Sequence, residues 1–443
     1  MAATAEWYLE RKIHSVPLTS AHAVSIPGAI DAWATLLRNH GKFGLDTLLQ
    51  PAIKAAEAGL CRRPRIAFDW KNQFEKLKNG TNTERYLLPH GKPAVAGDVI
   101  HQAELGKTLR AIAKDGRDAF YYRRDRRGHG RDLARHRRPA HAGGLCQHTP
   151  PKRPRRSAPS YKGHDVWQCP PNGPGITMLV MLNILSRFDL TKFPALSVER
   201  FHLEAEAARI AYMMREQHIG DPQHVHVDVA GILAREFADE HIKQHQDGPA
   251  ARSAERRAAD ESLDRLHHRG RQAIATSAPS STRSRIPSVR RSSPTRSGIL
   301  LQNRAGGFRI QPGHPNCIAP GKRPLHTIIP SLATRNGRAI MPFGVMGGQY
   351  QPVGQTHVLT NMLDYGCDVQ EAIDMPRGLH YEGVYQLEDS VPAEIVEGLK
   401  KIGHKTTSVV GPLGGGQAIW IDWDKGTLTG GSDPRKDGCA LGY

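Results

Sequence analysis

Two histidines and an aspartate, His224, His226 and Asp228, alternate along one short stretch. On an extended segment alternate side chains share a face, and two imidazoles with a carboxylate make a ligand set for a cation such as zinc. In a connecting loop the same residues ligate nothing, so their setting decides. The arginine pairs Arg137-Arg138 and Arg155-Arg156 bind phosphate without specificity at low salt, as any such run does. Six cysteines, Cys61, Cys146, Cys169, Cys317, Cys367 and Cys439, are scattered, with no CxxC pair and none of the dense spacing of a disulfide scaffold.

A chain of 443 residues is long enough for one large or two ordinary domains with a sizeable core, so size is compatible with an enzyme. Its formal charge of +18 and pI near 9.8 would ordinarily point to a polyanionic partner. The charge is not spread evenly. Arg123 to Arg156 holds twelve Lys/Arg against two Asp, and Arg252 to Arg296 holds eleven Arg against four acids, so these stretches carry +17 of the +18. The remainder has the near-neutral balance of a soluble enzyme, and no specific nucleic-acid partner is expected. No apolar run approaches the roughly 20 residues needed to span a bilayer. The start, Met1 to Trp7, lacks a basic region followed by an apolar one, so the chain as written is expected to be cytoplasmic and not membrane-inserted.

Ile26-Pro27-Gly28-Ala29 predicts a turn entering an amphipathic helix through Trp33, Leu36 and Leu37, and Thr47 to Leu60 a second helix closed by Gly59. Ala103 to Tyr122 predicts a helix with Leu105, Leu109, Ile112 and Ala113 on one face and a stop at Gly116. After the first basic stretch, His164-Asp165-Val166-Trp167 reads as a strand, Pro170-Pro171-Asn172-Gly173 as a loop and Ile176 to Leu185 as an apolar helix. A long helix is expected over Leu203–Gln217 with Ala207, Ile210, Ala211 and Met214 inward. Ala418 to Trp423 alternates and meets the turn Asp424-Lys425-Gly426 before Leu428, the pattern of a hairpin. No internal repeat is present.

Several of these segments, in order, resemble the gamma-glutamyltransferase family. Ser25-Ile26-Pro27-Gly28-Ala29, the helix leading into Ala119-Phe120-Tyr121, Cys169-Pro170-Pro171-Asn172-Gly173 and the Leu203–Gln217 helix with Gly220-Asp221-Pro222 are similar to its large subunit. Ser297-Gly298-Ile299-Leu300-Leu301-Gln302-Asn303-Arg304, Pro320 to Ile328, Gly344-Val345-Met346-Gly347-Gly348 and Gly431 to Gly438 are similar to its small subunit, in wording closest to the bacterial branch with cephalosporin acylase-like proteins. The resemblance implies an α+β N-terminal-nucleophile hydrolase, a four-layer αββα sandwich, incomplete here because the segment bearing the arginine for the substrate's alpha-carboxylate is expected before Ala2. It implies self-cleavage into a large and a small subunit that stay together as a heterodimer. It further implies amide acyl transfer in which a freed N-terminal threonine attacks a gamma-glutamyl carbonyl, its own amine serving as base, with water or an amino acid as acceptor. No cofactor and no metal are implied, and the His224 stretch falls in a connecting region.

By the same resemblance Gly347 and Gly348 are the oxyanion-hole pair, whose N–H groups can approach a reacting carbonyl because no side chain intervenes. Substrate binding falls to Asn303, Arg304, His326 and Thr327. His326 and Thr327 stand where the glutathione-specific branch carries paired serines. Arg304 and Gly307 stand where it carries a polar and an acidic residue for the substrate's amino group. A cation and a glycine do not bind an ammonium, which opens a glutaryl or cephalosporin-type acyl donor whose distal carboxylate meets Arg304. The alternative for Arg304 is to cap local carbonyls.

The nucleophile is absent. The family's small subunit opens with Thr-x-x-x-(Ser/Thr)-Val-Val-Asp, expected near Asp264 and Arg265, where this chain reads Leu263 to Arg271 without such a strand. Read one nucleotide along, an allowed choice of codons for that stretch spells Ser-Thr-Val-Cys-Thr-Ile-Val-Asp. Similar shifts turn Arg126 to Arg135, Ser280 to Arg283 and Arg291 to Arg296 into sensible continuations, and they account for His267-His268. Compensated frameshifts, rather than a genuine basic insertion, are therefore expected. The domains expected are a large-subunit-like segment over 1–122, an aberrant tract over 123–160, a large-subunit-like helical segment over 161–250, a second aberrant tract over 251–296 and a small-subunit-like segment over 297–443. An active acyltransferase, an inactive descendant of one and a basic nucleic-acid-binding protein are the competing functions, and the missing threonine favours the second.

Overall fold

The computed structural model describes residues 3–18, 20–78, 87–88, 91–121, 160–246, 297–409 and 411–442. They fall into two compact units. One comprises the described residues up to 121 with 297–312 and 317–321; the other comprises 160–246, 313–316 and 322–442.

In the first unit, helices Ala29–His40, Gln50–Ala58 and Ala103–Asp115 surround a core of Ile30, Leu49, Ile53, Ile112 and Tyr121. The first helix forms where the Pro-Gly turn predicts it, but Trp33 and Leu36 are 41% and 59% exposed, and Ile30 is its only buried residue. Its inward face is fixed instead by Ile30, by the Arg117–Asp31 ion pair and by the Tyr121 hydroxyl donating to Pro27 O at 2.8 Å. Gly59 closes the second helix at φ +87°. The helix from Ala103 stops at Gly116, φ +71°, as expected, and a short helix follows over Arg117–Tyr121. Residues 297–310 join this unit. Thr108 Oγ1 donates to Ser297 O at 2.8 Å, and Ala305, Phe308 and Ile310 pack with Ala5, Tyr8 and Val16.

The second unit is built on a six-stranded antiparallel sheet. Its strands are β1 (Ser160–Tyr161), β2 (His164–Gln168), β3 (Ser331–Arg335), β4 (Arg338–Met346), β5 (Gly415–Asp422) and β6 (Thr427–Ser432), which lie side by side in chain order. Helices α1 (Gly175–Leu185), α2 (Val198–His218) and α3 (Gln351–Leu363) share one hydrophobic core with it. Helix α1 is apolar all round and every residue is buried, as a helix without a polar stripe must be. Its one amide, Asn183, donates to the carbonyls of Leu233 and Ala234 at 3.2 and 3.1 Å. Helix α2 starts five residues before the predicted Leu203, at the Ser197 cap, and buries Ala207, Ile210, Ala211 and Met214 as its period requires. The predicted hairpin is present, with Trp420 opposite Thr429. A smaller sheet, Gly378–Tyr381, Val384–Leu387 and Thr406–Ser408, is mixed rather than antiparallel, since its last two strands run parallel.

Candidate active site

Strand register gathers the family-like segments at one end of the large sheet. Ser331 pairs with both Gln168 and Phe343, and Gly415 pairs with Met346. The segments after Gln168, before Ser331, after Met346 and before Gly415 therefore all leave the sheet from the same end. They carry Pro170–Gly173, His326-Thr327, Gly347-Gly348 and Gly414, the first of a second glycine run, Gly414 to Gly416, that continues into β5.

Gly347 adopts φ +131° and Gly348 φ +64°, a backbone path that side chains disfavour. A Cβ on Gly347 would lie 2.9 Å from Gly414 Cα, so the two glycine runs touch because neither has a side chain. The turn's own bond runs from Tyr350 N–H to Gly347 O at 3.2 Å and leaves the N–H groups of both glycines out of it. The next residue, Gln349, is held from α2: the Tyr212 hydroxyl donates to its carbonyl, and Arg215 Nη1 lies 2.5 Å from its Oε1. The facing run is held from below. Gly416 N–H donates to Asp433 Oδ2 at 3.0 Å, Leu413 N–H to Glu388 Oε1 at 2.7 Å, and Arg377 Nη1 to Leu413 O at 2.9 Å. Arg377 and Arg435 bracket the buried Asp433 at 2.5 and 3.0 Å. Burial alone would raise the Asp433 carboxyl, but the two guanidinium charges and the Gly416 N–H reverse this and hold it below its ordinary value.

The His326-Thr327 segment has its own anchors. Arg323 places its backbone N–H 2.8 Å and its Nη2 2.6 Å from the buried carboxylate of Asp221, so the Gly220-Asp221-Pro222 turn anchors the chain at Arg323. Leu325 N–H donates to Asn316 Oδ1 at 3.1 Å, and Asn172 Nδ2 donates to Pro324 O at 2.6 Å. Beneath them Gln168, Ser331 and Gln355 form a buried amide and hydroxyl cluster, and Gln355 Nε2 donates to Ile329 O at 2.5 Å.

Asn303 and Arg304 belong to the first unit, whereas these loops belong to the second. Asn303 Nδ2 donates to Leu18 O at 3.0 Å, a structural bond, and Arg304 opens a short 3-10 turn, Arg304–Gly307. Burial pulls the Arg304 guanidinium below its usual value. The expected threonine position near Asp264 and Arg265 lies outside the described residues, as do almost all of 123–160 and all of 251–296. His224 lies in a turn and His226 and Asp228 in irregular backbone rather than a strand, and Asp228 Oδ1 is taken by Gly231 N–H at 3.0 Å as a helix cap. Tyr212, Arg215, Gln349, Glu388 and Arg377 are the positioning residues that sequence patterning passes over. Their one sign is a charge within an otherwise apolar helical face, as at Arg215 beside Met214.

The helix-covered antiparallel sheet with glycine turns at one end agrees with the fold class of the N-terminal-nucleophile amide hydrolases, which the family and structural likenesses show. The gamma-glutamyltranspeptidase family model matches residues 1–443. The chain belongs to that family. It is 31% identical to a glutathione hydrolase-like YwrD proenzyme of Bacillus subtilis (strain 168), over 95% of this chain and 81% of that one. It is 30% identical to an acylase ACY 1 proenzyme of Pseudomonas sp. (strain SE83), over 95% and 75%. Among solved structures it is similar to cephalosporin acylase from Bacillus halodurans, with TM-score 0.85, 28% identity and coverage of 99% of this chain and 83% of that one.

Proposed function

We propose that this chain carries the scaffold for amide acyl transfer, with the Gly347 and Gly348 N–H groups as oxyanion donors, and that it is inactive as it stands because the threonine nucleophile is missing. The observation that supports the scaffold is the braced contact of the Gly347 and Gly414 runs at the sheet end where His326-Thr327 also emerges. Donors fixed before reaction stabilise a developing oxyanion without reorganisation, and one such donor is worth about 2.7 to 4 kcal/mol. Neither a base nor a nucleophile follows from that. Thr276 does precede Ser280 at the family spacing, but Ser281-Thr282-Arg283 replaces the apolar pair and aspartate that would make the strand. The two basic tracts are compensated frameshifts, and 1–122, 161–250 and 297–443 are the inherited segments between them. In the intact ancestor the chain self-cleaves into a heterodimer and passes a gamma-glutamyl group to water or an amino acid.

The test is turnover of a gamma-glutamyl anilide by the purified chain from a host lacking this activity. No release above the uncatalysed rate is expected, and steady turnover that tracks the protein through purification would overturn the proposal. A second reading concerns the donor. Arg304, partly buried and cationic, suits the distal carboxylate of a glutaryl-type donor rather than an ammonium, and acylases stand among the relatives. A frame-restored chain is expected to favour glutaryl over gamma-glutamyl amides; a preference the other way of more than about tenfold, roughly 1.4 kcal/mol, removes that reading.

A further inference from the structure

We infer that His202, Glu206 and His404 form a site for a single divalent transition-metal ion of the zinc type, on the second unit and apart from the glycine turns. His202 and Glu206 are four residues apart on α2 and so share a face. His404 follows helix Ala393–Lys401, whose Ile395 and Leu399 pack against Phe201 and Ala205 of α2. Its backbone is pinned on both sides: His404 N–H donates to Leu399 O at 3.0 Å, and Tyr385 N–H donates to Lys405 O at 2.7 Å.

This places His202 Nδ1 and His404 Nε2 only 2.8 Å apart, and one donor atom from each of the three residues falls within 4.8 Å of the others. Among the described residues this is the one group of three or more His, Cys, Asp or Glu so arranged. Tetrahedral zinc with ligands at about 2.0–2.1 Å holds its donor atoms about 3.4 Å apart. The imidazole pair therefore opens by about half an ångström, and the carboxylate closes by up to about 1.4 Å, within the reach of side-chain rotation on fixed backbone. Without a metal the imidazoles share one N–H···N bond; on binding, that proton moves to the other nitrogen of its ring and both lone pairs face the ion. Arg209 holds Glu206 through Oε2, which leaves Oε1 for coordination and orients the carboxylate, as an outer partner of a metal ligand does. His380, its ring 5.7 Å from that of His404, stands on the strand Gly378–Tyr381. Two imidazoles and one carboxylate select zinc, cobalt or nickel over magnesium or calcium. Bound there, the ion joins α2 to the segment after Lys401, and α2 carries the Tyr212 and Arg215 that brace Gln349.

The test uses the full chain, freed of metal by chelation, titrated with Co2+ and then Zn2+. Expected is one equivalent of Co2+ giving d–d absorption of a low-symmetry site, displaced by Zn2+, and a rise in the thermal midpoint with Zn2+. Both are lost in His202→Ala and His404→Gln, and affinity falls at least about tenfold in Glu206→Gln. Metal-free His404→Gln melting as the metal-free parent does separates loss of a ligand from loss of fold. An unchanged Co2+ spectrum in the His202→Ala/His404→Gln double variant, or no Zn2+-dependent stabilisation of the parent, overturns the inference.

Discussion

Gly347 and Gly348 are chemically identical and physically different. Both have positive φ, but a methyl on Gly347 meets the backbone of Gly414, whereas one on Gly348 meets open space. Gly347→Ala is expected to cost about 2–3 kcal/mol in urea unfolding and Gly348→Ala about 1 kcal/mol, and equal costs would show that the two runs are not in contact. Glu204 gives a second test at this scale. Burial would raise its carboxyl, but His357 and Arg200, through charge and hydrogen bonds, bring it to about 2 from 4.5. A folded value below the unfolded one means stability present above about pH 4.5 and lost as pH falls toward 2. Glu204→Gln should remove that part of the acid limb, read as a smaller fall in urea midpoint between about pH 6 and about pH 3 than in the parent. His357 Nδ1, 3.0 Å from Glu204 Oε2, is the donor of that pair. Its Nε2 is buried with no hydrogen-bond partner among the described residues. The sequence shows where the glycine pair lies but not its contacts, because Gly414 is far from Gly347 in the chain and meets it only through the β4–β5 register. Charges such as Arg200 and Glu204 are illegible for a related reason: periodicity assigns charged residues to solvent, and their burial follows from partners more than 150 positions away.

Helix α1 is the element whose loss would most damage the second unit. Leu182 is buried within it, and Leu182→Ala should cost about 2–5 kcal/mol by denaturant unfolding; a cost under about 1 kcal/mol would place the helix outside the core. Helix α2 is tied to the glycine turn through Tyr212 and Arg215. In a frame-restored chain Arg215→Met is expected to lower kcat at least about tenfold with little change in KM, because Gln349 positions the turn without touching substrate. Asp433→Asn leaves Arg377 with a weakened buried partner and should destabilise by about 3–5 kcal/mol. Elements were legible wherever one pattern dominated, as in α1, α2 and the β5–β6 hairpin. Trp33 and Leu36 misled because an apolar stripe predicts a helix more surely than it predicts which side is buried. Helix α3 escaped notice altogether, since its buried Gln355, Thr356, His357, Thr360 and Asn361 read as a polar helix; their partners are other buried polar groups.

At the scale of the molecule, the excess charge and the described architecture occupy different parts of the chain. The described residues hold a family fold, and no helix among them is long and apolar enough to cross a membrane. The two basic tracts account for nearly all of the +18, so the pI describes them and not the described residues. On the proposed reading residues 251–296 decide function, because that reading puts the self-cleavage there. The most direct measurement is the intact mass of two purified proteins after prolonged incubation: this chain, and the chain with its reading frame restored across both tracts. The account predicts a single uncut species for the first, and for the second two fragments, the smaller beginning at threonine. A clean cut within 251–296 of the unrestored chain, exposing a threonine that then turns over an anilide, would contradict it.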